Sequence, residues 1–525
     1  MQVKHGLLLL ALARVAHADD AASVTETATP PAKDDLDLRL TMSSFFYKQS
    51  GSDPGALVDQ GAPPQNASPV RRFFGDLRME LTDAGLAVDA RVRQTTSERF
   101  QSGADGGGEY EIRTLAYNLG PVRVGRQFID AVGSTKIDGV SATAHFTEAA
   151  SGVAFAGAFP VLGSRSLDTD YLHVRNPDGT DGDLLIPVSG GLGVAYQTPD
   201  MHGDLGVAGV YAPQNVPDAP SDQKTRVFTT TSGYWRGGSS FDAYHFVLLD
   251  VAGGNGVNLT NGSLGVDARP TPNVQITAAI NHVSTDLLQI AARNLLTDPD
   301  PTAIGIVQNN INLLKVSQDL ARAGASLALA ERRFELSVSG GVHRRPSVSV
   351  PTADGGMSVV FPEARSADAM FGILDRHSIG DTRIAVSGLL TEPIGSAAPN
   401  RSRGIVVRGV ISKLFADQRG QIEADVMYEH LKDTGSGAAC TTSTNPLACY
   451  GTSTTTAAQT GVLASWRIGR EWLLIADTHV GYQQVGSHYL APMSADPMAP
   501  LADMPVAWPT VLSVTAFARV QWRYR

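Results

Sequence analysis

Hydrophobic and polar residues alternate along most of the chain. In LRMELTDAGLAVDARVR, residues 77–93, apolar side chains take every second position on both sides of Asp83, Ala84 and Gly85. Strict alternation is typical of a β-strand with two unlike faces, and a short Asp/Gly break between two such runs predicts a hairpin turn. The pattern by itself leaves open whether the apolar face meets a protein core or lipid.

The same alternation recurs from residue 35 to the chain end. About 22 such segments can be placed, most of about 8 to 12 residues, which suits the ~9–11 residues that a tilted strand needs to cross a bilayer. Short breaks alternate with long polar stretches, as expected for short periplasmic turns and long outer loops. The apolar positions hold mainly Ala, Gly and single Val or Leu, whereas a sandwich core would need bulkier side chains. We therefore expect an all-β fold, a single antiparallel transmembrane β-barrel of about 22 strands (about 18 to 20 as the alternative), whose apolar face meets lipid.

Aromatic residues cluster at the ends of the predicted strands. One group lies beside short breaks or near the chain end: Trp235, Trp466, Trp472, Trp522 and Tyr524. A second group flanks the first long loop: Phe45, Phe46, Tyr47, Phe73 and Phe74. Two such bands predict the aromatic girdles of a membrane barrel. The alternative is the general preference of aromatic residues for strands.

The N-terminus has the layout of a secretory signal. Lys4 precedes an apolar run over residues 6–13, and Ala16-His17-Ala18 provides a small-x-small cleavage site. We expect a signal peptide over residues 1–18, a flexible leader over 19–34 and the barrel over 35–525. So short a leader leaves no room for an N-terminal plug, which favours a passive channel over an energised transporter.

Composition and charge exclude several function classes. The formal net charge of −10 disfavours nucleic-acid binding. After the signal, no apolar run is long enough to predict a transmembrane helix. Cys440 and Cys449 share one polar stretch, and an exported chain meets an oxidising compartment, so we expect a disulfide that closes a loop. Two cysteines alone are too few for a metal site, no nucleotide-binding or zinc motif is present, and no cofactor is expected.

Charged residues on the polar face of the early strands are the main candidate site. They are Asp76, Arg78, Glu80, Asp89, Arg91, Arg93, Glu111, Arg113 and Arg123, with Arg126 at the start of a loop. Opposed charges on a lumen wall select permeants by charge, and arginine binds carboxylate or phosphate bidentately. The alternative is a set of paired charges that only keep strand register and solvation. An anion preference therefore stays open.

The longest loop, residues 284–317, contains two apolar patterns with helical spacing. The first holds Leu287, Leu288, Ala291, Ala292 and Leu295, and the second holds Ile304, Val307, Ile311 and Leu314. Short amphipathic helices must bury their apolar faces. The loop either folds inward and narrows the pore or packs on the barrel rim or on another subunit.

Two further stretches carry weaker signals. NPDGTDGD, residues 176–183, is acidic, but its spacing fails the EF-hand pattern, so we expect a solvated loop. His282 and Ser284 lie on one side of a strand end and superficially resemble the His-x-Ser of outer-membrane phospholipase. Ser284 also suits a helix cap, and no residue that would orient the histidine can be identified.

Taken together, these features resemble Gram-negative outer-membrane porins and porin-like export channels. The local match is VRVGRQFIDAVGSTKIDGV, residues 122–140, which looks like a passage of porin-like families that include alginate-export-type channels. The last strand is similar to a barrel-insertion signal but ends on Arg525 instead of Phe.

The resemblance implies passive or facilitated diffusion of small hydrophilic, optionally anionic, solutes across the cell outer membrane. Outer-membrane lipid and such solutes are the expected partners, and a homo-oligomer is left open. The rival functions are an outer-membrane scaffold or adhesin and a membrane-bound hydrolase.

Overall fold

The computed structural model describes residues 36–50, 70–95, 108–160, 171–175, 181–211, 225–252, 257–284, 317–351, 358–361, 363–395, 401–434, 450–492, 501–507 and 510–524. Nearly all of these residues belong to antiparallel strands. Within the described ranges the only helical segment is a 3-10 turn, Asp130–Val132. No helix among them is both long and apolar enough to span a bilayer.

Twenty-seven strands follow one another along the chain. The first thirteen are β1 (Asp37–Gln49), β2 (Val70–Asp83), β3 (Leu86–Thr95), β4 (Gly108–Leu119), β5 (Val122–Ile129), β6 (Thr135–His145), β7 (Ala150–Ala158), β8 (Leu172–Arg175), β9 (Asp181–Leu185), β10 (Val188–Gln197), β11 (Met201–Tyr211), β12 (Thr225–Arg236) and β13 (Phe241–Ala252). The others are β14 (Asn258–Thr271), β15 (Val274–Val283), β16 (Gln318–Leu329), β17 (Phe334–Arg345), β18 (Val348–Pro351), β19 (Ser358–Phe361), β20 (Ala364–Ile379), β21 (Thr382–Pro393), β22 (Arg401–Phe415), β23 (Gly420–Thr434), β24 (Tyr450–Ile468), β25 (Trp472–Pro492), β26 (Leu501–Ala507) and β27 (Val511–Tyr524).

Twenty-two of the strands form one closed antiparallel barrel. The ring closes where β1 pairs with β27, with Leu40 opposite Trp522. The pairs β8–β9 and β18–β19 form separate two-stranded sheets within long connections, and β26 adds to β25 only. Closure satisfies the backbone of the first and last strands, which lipid could not hydrogen-bond. The predicted barrel of about 22 strands is confirmed.

Short turns and long connections lie at opposite ends of the barrel. Two-residue turns join β2 to β3 at Ala84 and Gly85, and β4 to β5 at Gly120 and Pro121. The first and last strands of the ring also begin and end at this short-turn end. This is the architecture of an outer-membrane barrel, in which the short turns and both chain ends face the periplasm.

The outer face of the wall is apolar. On alternate positions Leu77, Val426 and Leu512 are at least half exposed, and similar side chains recur around the ring. So continuous an exposed apolar surface is unsuited to water and suited to lipid. Near the short turns the same face carries a band of aromatics, in which the rings of Trp472 and Trp522 lie 6.2 Å apart.

The aromatic group around the first long loop divides between the two faces. Phe46 and Phe73 are exposed on the outer face. Phe45 and Phe74 stack on the inner face, with ring centroids 4.9 Å apart. Tyr47, two positions after Phe45, also lies on the inner face, so only two of the five residues can contribute to an outer girdle, which corrects the sequence expectation for the group as a whole.

Two of the short turns share an unusual conformation. Ala330, Glu331 and Arg332 all have positive φ, and so do Ala416, Asp417 and Gln418. In each turn the following arginine, Arg333 or Arg419, donates its backbone N–H to the carbonyl of the alanine. Three successive left-handed residues without glycine are costly for the backbone, so the flanking strand pairs must hold the turn in place.

Candidate functional site

The predicted charged residues of β2 and β3 form a lattice of ion pairs on the inner face. The register places like charges directly opposite each other, Arg78 opposite Arg91 and Glu80 opposite Asp89. Like charges in this position repel, so the side chains pair on the diagonals. Arg78 donates to both carboxylate oxygens of Asp89, at 2.8 and 2.7 Å, and contacts Glu80 at 2.8 Å.

Asp76 is the most buried carboxylate of the lattice. It accepts hydrogen bonds from the guanidinium groups of Arg91 and Arg93. The guanidinium carbon of Arg93 also lies 5.4 Å from the centre of the Phe74 ring. Asp76 is thus held by two guanidinium groups, one of which also lies over the Phe74 ring. These contacts stabilise the part of the β2–β3 wall that is far from the short turn.

Arginines outnumber carboxylates along this wall. Arg39 on β1, which sequence reasoning missed, joins the lattice through Glu80 at 3.2 Å. Arg113 lies at a bulge and makes only loose contacts, 3.8 Å to Asp89 and 3.9 Å to Glu111. Six guanidinium groups therefore face five carboxylates on the described inner wall of β1 to β5: Arg39, Arg78, Arg91, Arg93, Arg113 and Arg123 against Asp37, Asp76, Glu80, Asp89 and Glu111.

Arg123 and Arg126 lie apart from the lattice. Arg123 on β5 is opposite Ser141 of β6, and in the described structure its buried Nε has no hydrogen-bond partner. Arg126 donates to both oxygens of Asp138 at 2.6 Å and to the Ile112 carbonyl at 3.0 Å. Most of the predicted residues thus belong to the ion-pair lattice of the wall. Arg126 instead forms a separate pair with Asp138, called here the clamp.

The clamp marks the point where β5 and β6 leave the wall. Their tip, residues 126–138, is called here the inward hairpin, because it folds into the barrel and packs on the inner faces of β10, β11 and β12, two to four strands along the ring from β6. The bend begins at Gly125, whose φ of 119° is readily adopted only by glycine. Tyr171 adds a hydrogen bond of 2.5 Å to Asp138 at the same place.

The tip of the inward hairpin packs into a recess in the adjacent wall, on β10 and β11. Gly193 and Gly206 form its floor: an alanine Cβ at these positions would lie 2.8 and 2.5 Å from the Ala131 carbonyl oxygen. Val132 and Ile137 are completely buried. They join an apolar cluster inside the barrel with Ile129, Phe155, Phe159, Ala208, Val210 and Phe228.

Polar groups of the inward hairpin are satisfied locally. Gln127 is almost fully buried, accepts from the Ser141 hydroxyl at 2.8 Å and donates to the Arg123 carbonyl at 3.1 Å. Thr135 donates to the Val132 carbonyl at 2.5 Å. A segment with its own core and hydrogen bonds is an ordered element inside the barrel and not a loose loop.

Sequence reasoning did not identify this element, although residues 122–140 carried the family resemblance. A usable signal was present on the facing strands. β7 and β11 are apolar on both faces, through Val153 and Phe155 and through Ala208 and Val210. A lumen wall should be polar, so apolar residues there indicate that something covers them. The loop predicted to narrow the pore, residues 284–317, lies outside the described residues except at its two ends.

Further charged groups line the rest of the lumen. On the far side of the barrel, Asp368 accepts from Arg322 at 2.5 Å and from His343 at 2.7 Å. On β22 to β25, Asp425 contacts Arg408 and His479, both at 3.2 Å. Each residue is an isolated charge in an alternating strand, so only the barrel register brings them together.

The remaining predictions concern a possible active site and segments that are not described. His282 uses both ring nitrogens, one 2.6 Å from Asp319 Oδ1 and the other 3.0 Å from the Leu259 carbonyl oxygen. Because a carbonyl oxygen only accepts, the second nitrogen is a donor and is not available as a base for Ser284. Cys440 and Cys449, residues 1–34 and most of the acidic loop 176–183 lie outside the described residues.

No protein-family model matches the sequence, and no curated protein matches it. Among solved structures the chain is similar to OccAB2 of Acinetobacter baumannii, at 9% identity over 94% of this chain and 98% of that chain, with a TM-score of 0.37. It is also similar to a BenF-like porin from Pseudomonas fluorescens, at 9% identity over 93% and 99% of the two chains, with a TM-score of 0.37. OpdQ of Pseudomonas aeruginosa gives 10% identity over 94% and 98%, with a TM-score of 0.35. Because these identities and TM-scores are low, the fold assignment rests on the strand pairing of the chain itself.

Proposed function

We propose that the protein is an outer-membrane channel for passive or facilitated diffusion of small hydrophilic solutes. The inward hairpin, a rigid element inside an otherwise polar lumen, is the observation that carries this proposal. Twenty-two strands spaced ~4.8 Å apart and tilted by about 40° give a circumference of about 140 Å. A barrel of that width encloses an aqueous space, and the hairpin reduces it at a fixed height.

An anion preference follows from the excess of arginine on the wall of β1 to β5. Most of these guanidinium groups already pair with carboxylates, which weakens their field. Arg39 and Arg113 are the best placed to act on a solute, because their side chains are 37% and 41% exposed; Arg39 keeps one hydrogen bond of 3.2 Å to Glu80, and Arg113 is 3.8 Å from Asp89. A carboxylate or phosphate group passing along this wall can share their remaining N–H donors. We therefore expect modest, not strict, anion selectivity.

Single-channel recording of the full mature chain in a planar bilayer tests the proposal. Stable open steps are expected, and in a salt gradient the reversal potential should indicate anion preference. The double variant Arg39→Gln/Arg113→Gln should move that potential toward cation preference. Arg332→Gln, at an exposed short turn away from the lumen, is the matched control and should leave it unchanged.

Two outcomes would contradict the proposal. A barrel that is folded by heat-modifiable gel mobility but gives no conductance would move the function to the outer loops, as in a scaffold or adhesin. Unchanged selectivity in the double variant would contradict only the proposed anion preference and would leave the proposed channel function standing. Deleting residues 286–315 asks separately whether the long loop also restricts flow, which would appear as larger open steps.

A further inference from the structure

A row of charged residues borders the apolar outer face at the long-loop end of the barrel. The register places His282, Asp319, Arg344 and Arg365 side by side on β15, β16, β17 and β20. Each lies on the face of the wall that carries the exposed apolar residues, two positions beyond Ile280, Ala321, Val342 and Ala367 respectively. These residues therefore face the membrane and not the pore. With Glu363 they are called here the rim cluster.

The height of the rim cluster matches the edge of the hydrocarbon layer. On β20 the outer face runs from Asp375 near the short turn, through the exposed Ile373 and Phe371, to Arg365. Ten residues at ~3.3 Å each, tilted by about 40°, rise about 25 Å. That equals the apolar band of an outer-membrane barrel, so Arg365 lies at the level of the lipid headgroups in the outer leaflet.

The guanidinium groups of the rim cluster share one oxygen of Glu363, and Arg344 Nη1 also lies 3.7 Å from Asp319 Oδ2. Glu363 Oε1 accepts from Arg344 Nε at 2.9 Å and from Arg365 Nε at 2.5 Å. A guanidinium has five N–H donors, and these side chains are 50% and 55% exposed. Their terminal Nη groups therefore remain accessible from outside the barrel.

The charged row continues onto β21, β22 and β23. Arg403 donates to Glu392 at 2.7 Å, is 66% exposed and lies opposite Lys432. Four permanent cations thus accompany three carboxylates, in addition to His282: Arg344, Arg365, Arg403 and Lys432 with Asp319, Glu363 and Glu392. Paired guanidinium groups that keep free donors are the usual way in which proteins hold phosphate.

We propose that the rim cluster, together with Arg403 of the same charged row, binds the phosphate groups of a lipid of the outer leaflet whose headgroup carries phosphate monoesters. Such a group has a charge of about −1.5 to −2, more than the phosphodiester of an ordinary phospholipid. Its acyl chains would lie on the apolar face below the cluster, over Val342 and Phe371. The site lies outside the pore and goes beyond the proposed channel function. A soluble anion lacks the acyl contacts, so a membrane lipid is the favoured ligand.

Native mass spectrometry of the full mature chain, released from detergent, tests the proposal with lipid A as the probe. The wild-type chain should retain lipid A, whereas Arg344→Gln/Arg365→Gln/Arg403→Gln should retain at least tenfold less. The matched control, Arg332→Gln/Arg419→Gln/Arg470→Gln, changes three arginines of the short turns and should bind like the wild type. Glu363→Gln removes a competing carboxylate and should retain lipid A at least as well.

Two further arms identify the source of the phosphate. The wild-type chain should lose dephosphorylated lipid A as easily as the triple rim variant loses intact lipid A. Excess inorganic phosphate should not displace lipid A from the wild type. Equal retention by the rim variant, or equal retention of the dephosphorylated lipid, overturns the proposal. Displacement by inorganic phosphate would make this a soluble-anion site and also overturns it.

Conductance separates this proposal from the channel function. The rim variants lie outside the lumen and should conduct like the wild type, so lost lipid binding with unchanged conductance supports the site alone. If the triple variant does not fold, Arg403→Gln, the most exposed of the three, is measured instead and should retain less lipid A than Arg470→Gln.

Discussion

Arg126 holds Asp138 through two hydrogen bonds of 2.6 Å at the base of the inward hairpin. The pair joins β5 to β6 just beyond Gly125 and Gly139, where the two strands leave the wall. The tip of the hairpin is anchored separately, at the end away from the Arg126–Asp138 pair, by the packing of Val132 and Ile137. The inward hairpin therefore has two independent attachments that can be broken one at a time.

Replacing Arg126 with alanine should loosen the base. The change leaves Asp138 with the Tyr171 hydroxyl as its hydrogen-bond donor and should lower the free energy of unfolding by about 1–3 kcal/mol. Single-channel current should become noisier because the tip remains seated while its base moves. Urea unfolding in lipid and current noise are the measurements.

The control for Arg126→Ala is Arg269→Ala, which removes an exposed ion pair to Asp242 away from the hairpin. It should change stability little. Equal noise in the two variants would mean that the clamp does not restrain the hairpin.

Replacing Gly206 with alanine should displace the tip. The new methyl group would lie 2.5 Å from the Ala131 carbonyl oxygen and 2.7 Å from Val132, so the hairpin must move away from the wall. Overpacking of this kind costs about 1–3 kcal/mol. Open-channel conductance should change, and the apolar cluster should become accessible to a hydrophobic dye.

Gly209→Ala, on the same strand, is the matched control because a Cβ there meets open space. Conductance that responds to Gly209→Ala as much as to Gly206→Ala would exclude a specific contact between the tip and the wall.

Tryptophans on the outer face should report contact with lipid. Trp235, Trp466, Trp472 and Trp522 lie near the short turns, so single-tryptophan variants should be quenched most by lipids brominated close to the headgroup. Bromine near the bilayer centre should quench less. Strong quenching by aqueous iodide instead would place these side chains in water and contradict the orientation of the barrel wall.

Stability should depend on the ionisation of Glu363, which precedes β20 outside the membrane-spanning part of the strand. Hydrogen bonds from Arg365 and then Arg344 lower the pKa of this carboxyl below its ordinary value of 4.5. A lowered pKa stabilises the folded chain above the ordinary value, and the effect is lost as pH falls through the lowered one.

The pH effect is measured as the difference in thermal midpoint between the wild type and Glu363→Gln. The difference should be small and salt-sensitive at neutral pH, because the pair is exposed, and it should vanish in acid. A difference that grows in acid would have the wrong sign for this pair.

The barrel itself could be predicted from the sequence because its determinant is local. Alternation such as that of residues 77–93 fixes which face is apolar, and the spacing of short and long breaks fixes the strand number and which end each connection occupies. The charged residues of β2 and β3 were predicted as a group for the same reason. Their diagonal pairing was not, since it depends on the register between strands.

The inward hairpin was missed because its determinants lie far apart in the chain. Nothing within residues 126–138 distinguishes a tip that enters the lumen from one that points to solvent. The recess that receives the tip is built by Gly193 on β10 and Gly206 on β11. The rim cluster is similar, because His282, Asp319, Arg344 and Arg365 are isolated charges until the strands align.

The two glycine-free left-handed turns, at residues 330–333 and 416–419, have the same φ pattern and the same closing hydrogen bond. They also share a sequence motif, alanine, an acid, a variable residue and arginine. A turn that is closed by its own backbone hydrogen bond can connect any two neighbouring strands of the barrel in the same way. Whole hairpins can then be gained or lost, and the circumference changed, without a change in the conformation of the turns. The number of strands can therefore change in evolution in steps of two.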